Sequence, residues 1–405
     1  MRYLPRNMNG ILAVEKPSGV TSSKLILQLQ SIFNSSDVFA ADLVEAKERV
    51  HNDLSSGTRW LASKIANRVK NTKIKVGHGG TLDPLARGVL IIGVGAGTKK
   101  LQYYLGECTK TYEAKALLGQ STTTGDSEGE VVTQTETEHV SLEDLKKAAF
   151  KFVGKSKQTP PIYSALKVDG KPLYEYARSG IPVPKPIAAR DVQVHLFEIH
   201  DDFGPSTEYS PLEPLELGKE LFKNPTLNDH ELFFSEEFMA NADYSAEEKS
   251  TKIESKLLDP STPAAKALPC VHLTATVGSG TYIRSLISDL GRAVGSSAHM
   301  VELIRTKQSD WELGKNVFAV SDFTDRDERV WGPVLKSVFE KGPEVDLAEN
   351  FRTIEEIVLP MIEAENSQSA EQTDKSDKSE QTDKPTDTGS STEELPNLKR
   401  QKVEP

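Results

Sequence analysis

Apolar positions in this chain fall into short runs and a few helical stripes, and each predicts an element. Residues 11–17, ILAVEKP, read as a strand that stops at Pro17, and Val89–Val94 is an unbroken apolar run of the kind a buried strand carries. KTYEAKALLG, 110–119, is a strand closed by Gly119. In 141–153, Ser141 followed by Asp144 resembles a capping box, and Leu145, Ala148, Ala149 and Phe152 share one helical face. Val192, Val194 and Leu196 alternate, as do Val271, Leu273, Ala275 and Val277, which predicts two half-buried strands that pair across the residues between them. After Gly278, Gly280 and Thr281 comes a helix striped by Ile283, Leu286, Ile287, Leu290 and Val294, with Arg284 off the stripe. No repeat of 20 to 50 residues is visible. The order predicts an α+β fold: a mixed, mainly antiparallel central sheet flanked by helices.

Three stretches break the pattern. Residues 201–265 are acidic and hold six prolines, and read as a surface insertion. Residues 35–70 read as a second insertion, helical from Trp60 to Val69. From 364 to 405 large apolar side chains are almost missing, so the tail cannot offset its ordering entropy and is expected to be disordered. The expected organisation is an N-terminal extension (1–8), a catalytic domain (9–320), a helical extension (321–363) and that tail.

The net charge of −11 argues at first against a nucleic-acid partner, but its distribution reverses this. Asp201–Asp259 carries a net −10 and Ala364–Pro405 a net −4, leaving a body of +3 that is compatible with RNA. Cys108 and Cys270 are too few for a disulfide framework or a zinc site, so no metal is expected. No apolar run approaches the roughly 18 to 20 residues of a membrane span. Arg2 and Arg6 are faintly like a transit peptide. Lys399, Arg400 and Lys402 suit nuclear import, although composition alone favours a solvated tail. Nucleus and mitochondrion are the expected locations, with the cytoplasm beside them.

The chemistry concentrates in GHGGTLDPLARGVL, Gly77–Leu90, which places one carboxylate, Asp83, in a turn stiffened by glycine and proline and set against a strand. A carboxylate so held suits a nucleophile or an acid/base. By itself the tripeptide LDP reads first as an Asp accepting backbone hydrogen bonds in its own turn. GVGAGT, 93–98, lacks both the G-x-G-x-x-G spacing and a P-loop lysine, so it is not read as a nucleotide site.

Five separated fragments, VEKPSGVTS, GHGGTLDPLARGVL, KTYEAKALLGQSTTTGDSEG, PPIYSALKVDGKPLYEYARSG and GSGTYIRSLISDLG, together and in this order resemble the TruB family of tRNA pseudouridine-55 synthases. The insertions and tail are similar to its eukaryotic branch. The resemblance covers most of 9–200 and 268–310. It implies the pseudouridine synthase fold and an isomerase, without cofactor, that breaks the N1–C1′ bond of a uridine in the tRNA T loop, turns the base and rejoins it through C5.

By residue-level match, Asp83 is the catalytic aspartate, able to stabilise, trap or deprotonate the electron-poor ribose. Arg284 matches the arginine that keeps it ionised, and Tyr112 the tyrosine that stacks on the base and helps remove the C5 proton. A phenol is a poor base at neutral pH unless a cation sits beside it, and Lys16 is the expected supporting cation. The resemblance further implies that His78 fills the space left by the flipped nucleotide, that Tyr282 lines the pocket and that Leu303 packs beneath the uracil. Residues 158–186 resemble an RNA-gripping thumb in which Lys167, Lys171, Arg178 and Lys185 interleave with tyrosines. Arg87, Lys99 and Lys100 are expected to extend its basic track.

Bacterial members usually continue into a small RNA-binding domain, for which 315–363 are too short and too charged. Grip beyond the T arm is then expected from elsewhere, such as the insertions. The partner is expected to be tRNA, and also mRNA hairpins that copy its T loop, bound by a monomer with no membrane association. Two rivals remain: a tRNA-folding chaperone using the same pocket without chemistry, and a uracil-releasing glycosylase, which would need a second group near Asp83 to activate water.

Overall fold

The computed structural model of the protein describes residues 7–56, 60–213, 231–259 and 265–379, the last twelve by backbone alone. The expected signals at Arg2, Arg6 and Lys399–Lys402 lie outside these residues. Fourteen strands are described: β1 (Gly10–Lys16), β2 (Val76–His78), β3 (Arg87–Val94), β4 (Lys110–Leu118), β5 (Gln120–Thr122), β6 (Val131–Gln134), β7 (Gly154–Gln158), β8 (Lys167–Val168), β9 (Lys171–Pro172), β10 (Arg190–Ile199), β11 (Gly204–Pro205), β12 (Pro269–Val277), β13 (Ala298–Gln308) and β14 (Trp311–Glu312).

The large sheet has the order β1-β3-β13-β4-β12-β10-β7. All its pairings are antiparallel except β13 with β3, so the mainly antiparallel α+β reading is borne out. The two alternating segments do pair, Val194 opposite Val277 and Ile199 opposite Leu273. β3 receives β13 at Arg87 and Gly88 and β2 at Ile92–Val94, so the loop from β2 back into β3 spans the point where the two partners diverge. Gly88 permits this join: its φ is +112°, and a Cβ there would collide with the Arg305 backbone. Gly97 packs as tightly on the Gly10 backbone, so GVGAGT is a close-packed turn.

One face of the sheet is covered by the helices Leu142–Phe150 and Ile283–Ala293, the first closed by the expected capping box of Ser141 and Asp144. Between sheet and helices lies a continuous core that includes Leu82, Tyr112, Leu145, Leu286 and Leu303. At the β1 edge, Phe33 and Phe39 meet Phe323 and Trp331 of the C-terminal extension, with ring centroids 4.6 to 6.3 Å from Phe33.

Two expectations need correction. The acidic segment is not a mere surface insertion: Leu232, Phe234 and Phe238 are buried, and Phe234 meets Phe152 edge-on at 5.4 Å. Burying each of these side chains is worth about 1.5 to 3 kcal/mol, enough to anchor a segment that is acidic as a whole. The 35–70 insertion is helical well before Trp60, through Ala40–Ser55, and again over Ala62–Lys70. The helix Leu347–Ser379 runs into the first part of the 364–405 tail, and the remainder of that tail lies outside the described residues. Glu, Ala, Gln and Lys are good helix formers even without an apolar stripe. The chain divides into two compact units, Met1–Ile354 and Glu355–Pro405.

Candidate active site

Asp83 sits in a loop whose backbone is clamped by the KPSGVTS segment. The Gly79 N–H donates to Ile91 O at 2.8 Å, and Gly80 takes a φ of +126° to turn the chain away from β2. Ser22 Oγ accepts from Leu82 N at 3.0 Å and donates to Leu82 O at 3.1 Å. Gly19 N–H donates to Pro84 O at 2.8 Å, and Ser18 Oγ to Leu85 O at 2.6 Å. Leu82 is buried on one side of Asp83, whose own carboxylate keeps 34% of its surface open.

Arg284 meets that carboxylate from the helix Ile283–Ala293, Nε to Asp83 Oδ2 at 2.8 Å. Far from standing outside the packed part of its helix, Arg284 is 4% exposed, because that helix is buried from Ile283 through Gly291. A cation in the first turn of a helix opposes the helix dipole and must be offset locally. Nη1 donates to Thr124 O at 2.6 Å and Nη2 to Tyr163 O at 2.9 Å, while the buried Asp126 carboxylate lies 3.7 Å from Nε. Asp126 is fixed in turn by Thr124 Oγ1 at 2.6 Å and Glu128 N–H at 3.1 Å. One guanidinium thus ties together the Asp83 loop, the TTTGDSEG loop and the base of the 158–186 segment. The arrangement delivers a rigid, partly open carboxylate beside a fixed positive charge.

Tyr112 is buried on β4 opposite Arg305 of β13, and Arg305 Nη1 donates to its hydroxyl at 3.4 Å. Arg305 is 1% exposed; it also donates to Val89 O at 2.7 Å and Gly80 O at 3.4 Å, so it links the phenol to the catalytic loop. The cation beside Tyr112 is therefore Arg305 and not Lys16. Lys16 stands on the edge strand β1, with β3 and β13 between it and β4. Its ammonium donates to Pro17 O at 2.9 Å, Val20 O at 2.6 Å and Pro84 O at 3.2 Å. Burial pulls it down to about 8, against an upward pull from Asp83.

Leu303 is buried beside Tyr112 in the core. His78 lies on β2; burial lowers its basicity and nearby Arg305 adds to the effect, which favours the neutral ring. Tyr282 caps the Arg284 helix, its backbone held by Gln158 through bonds of 2.8 and 3.1 Å. Lys167 and Arg178 are not brought to the Asp83–Arg284 pair: both are exposed on the 158–186 segment, where the Arg178 guanidinium lies 5.3 Å from the Tyr174 ring centroid. Lys171 stacks on Tyr176 at 4.7 Å, whereas Lys185 and Arg87 are engaged by Asp169 and Glu15.

Asp126 and Arg305 are the residues that sequence reasoning leaves out. Asp126 stands inside the quoted TTTGDSEG fragment, and Arg305 follows Val301 and Leu303 at alternate positions, a charge in an otherwise apolar run. Among the described residues no cluster of His, Cys, Asp or Glu could hold a metal, and no helix is long and apolar enough to cross a membrane.

The family model described as TruB family pseudouridylate synthase (N terminal domain) matches residues 67–209. The chain is 44% identical over 366 residues to tRNA pseudouridine synthase 4 of Saccharomyces cerevisiae, covering 86% of this chain and 89% of that protein. It is 36% identical to tRNA pseudouridine synthase 4 of Schizosaccharomyces pombe, covering 78% and 82%. To tRNA pseudouridine synthase B of Cupriavidus metallidurans it is 31% identical, covering 76% and 65%. At 44% identity across most of both chains, and with the family's N-terminal domain matched, this chain belongs to the TruB family of pseudouridylate synthases.

Proposed function

We propose that the protein isomerises uridine 55 in the T loop of tRNA to pseudouridine, with Asp83 acting on the ribose of an everted nucleotide. The observation that carries the reading is the Asp83–Arg284 pair, 2.8 Å apart, in which the arginine is buried and the carboxylate a third open. In the reaction the N1–C1′ bond breaks, C5 bonds to C1′, the C5 proton leaves and N1 is protonated. The detached uracil is its own acceptor, so one carboxylate suffices. Tyr112 stacks on the base and accepts the C5 proton, and Leu303 supports the ring. His78 and Tyr282 compensate the lost stacking, where each aromatic contact is worth about 1 to 3 kcal/mol. Lys167 and Arg178 hold phosphates of the T arm.

The same pocket accepts mRNA hairpins that fold like a T loop. One chain supplies both carboxylate and guanidinium, which supports action as a monomer. The terminal basic clusters support nuclear and mitochondrial pools, which imaging of a tagged protein tests. For the central reading, Asp83→Asn is expected to bind a tRNA transcript normally and form no pseudouridine. Unchanged product from that variant overturns it, and release of free uracil by the wild type converts it to a glycosylase.

A further inference from the structure

Between Asp53 and Asp83 the chain carries six bases and no acid, in a protein of net charge −11. The helix Ala62–Lys70 packs on Ala40–Ser55; Ile65 and Val69 are its half-buried stripe, and Lys64, Arg68 and Lys70 are exposed. Lys64 and Arg68 are four residues apart on one face, a like-charge spacing that opposes the helix, while Arg68 and Lys70 in the last turn complement its dipole. The chain then extends. Ile74 is buried, its N–H bound by Asn34 Oδ1 at 3.0 Å and its carbonyl by Gln30 Nε2 at 2.8 Å, which turns Lys73 and Lys75 outward together. Lys75 O accepts from Gly95 N–H at 2.8 Å and so brings in the turn Gly95–Lys100, which ends in exposed Lys99 and Lys100. None of these side chains forms an ion pair among the described residues, unlike Lys185 and Arg87 near the site.

This basic strip leads into β2, whose three residues span roughly 10 Å, and from there into the Asp83 loop. We propose that it is a second RNA-docking surface, which takes the phosphate backbone of the double-stranded arm continuing from the loop whose uridine enters the site. The proposal rests on the functional reading above and goes beyond it: an insertion helix supplies grip on the arm beyond the loop. Charge complementarity selects the partner. Rows of exposed cations without base-reading geometry recognise backbone phosphate independently of sequence.

The test uses the full chain with Lys64→Gln, Arg68→Gln and Lys70→Gln combined. Glutamine is a good helix former, and circular dichroism checks the fold. Arg49→Gln is the control, since Arg49 is already paired to Glu45 at 2.6 Å. Binding and turnover are measured on a full tRNA transcript and on a T-loop hairpin with a shortened stem. For the transcript, KM is expected to rise about tenfold and the slope of log affinity against log salt to fall by about 2 to 3, roughly one per phosphate contact. The kcat value and hairpin turnover are expected to stay unchanged, as is the control. An unchanged salt slope overturns the proposal, as does an equal loss on the short hairpin or loss of binding only to anionic vesicles. Absence of pseudouridine with the wild type would sink the functional reading instead, and the salt slope of RNA binding still judges the strip.

Discussion

Replacing Arg284 by methionine removes the one cation shared by two carboxylates of unequal exposure, and the structure predicts how the loss divides. Asp83 is a third open and can recruit water, so its share resembles that of an exposed pair, up to about 1 kcal/mol. Asp126 is 4% exposed and keeps only the Thr124 hydroxyl and Glu128 N–H, so it is stranded as a buried charge. Breaking a buried pair from one side costs about 3 to 5 kcal/mol, and the carbonyls of Thr124 and Tyr163 also lose their donors, which places Arg284→Met at the upper end. Adding Asp126→Asn removes the stranded charge. The double variant is therefore expected to be about 1 to 3 kcal/mol more stable than the sum of the single losses predicts. Urea unfolding of the wild type, both single variants and the double variant measures this coupling, and pseudouridine formation is followed in parallel. Activity should remain lost in the double variant, because Asp83 still lacks its cation. Additive losses within about 0.5 kcal/mol would refute the reasoning, since Asp126 would then not sense the guanidinium.

Lys16 holds its proton less tightly folded, at about 8, than at its ordinary 10.5, so stability should rise between those pH values by up to about 3 kcal/mol. That rise should be missing from Lys16→Met, and parallel stability profiles of the two proteins would exclude the effect. Phe234→Ala should cost about 3 to 5 kcal/mol in urea unfolding, as expected of a core aromatic; a loss under 1 kcal/mol would return the acidic segment to the surface. Tyr112→Phe should lower kcat about a hundredfold and cost about 1 to 3 kcal/mol, because Arg305 Nη1 loses its acceptor, and a near-normal rate would leave the ring only a stacking role.

The strands were legible because the two faces of a sheet impose a period on the chain, and the runs at 11–17, 110–119, 192–196 and 271–277 carry it. Asp83 and Arg284 were not legible by that route, because a turn carboxylate and a first-turn arginine have no periodic signature; the glycine–proline turn singles out Asp83 as a candidate, and the five ordered fragments supply the pairing with Arg284. Arg305 shows the physical limit. Its alternation with Val301 and Leu303 predicts burial, while its charge predicts exposure, and only Val89 O, Gly80 O and the Tyr112 hydroxyl, all distant in sequence, resolve the conflict. The same reasoning separates Lys16 from its expected place. A buried ammonium needs acceptors more than it needs a phenol, and the loop it closes supplies one in Pro84 O, with Pro17 O and Val20 O beside it. Lys16 thereby spends its donors holding the backbone next to Asp83, which is how a residue on the far edge of the sheet shapes the position of the reacting carboxylate.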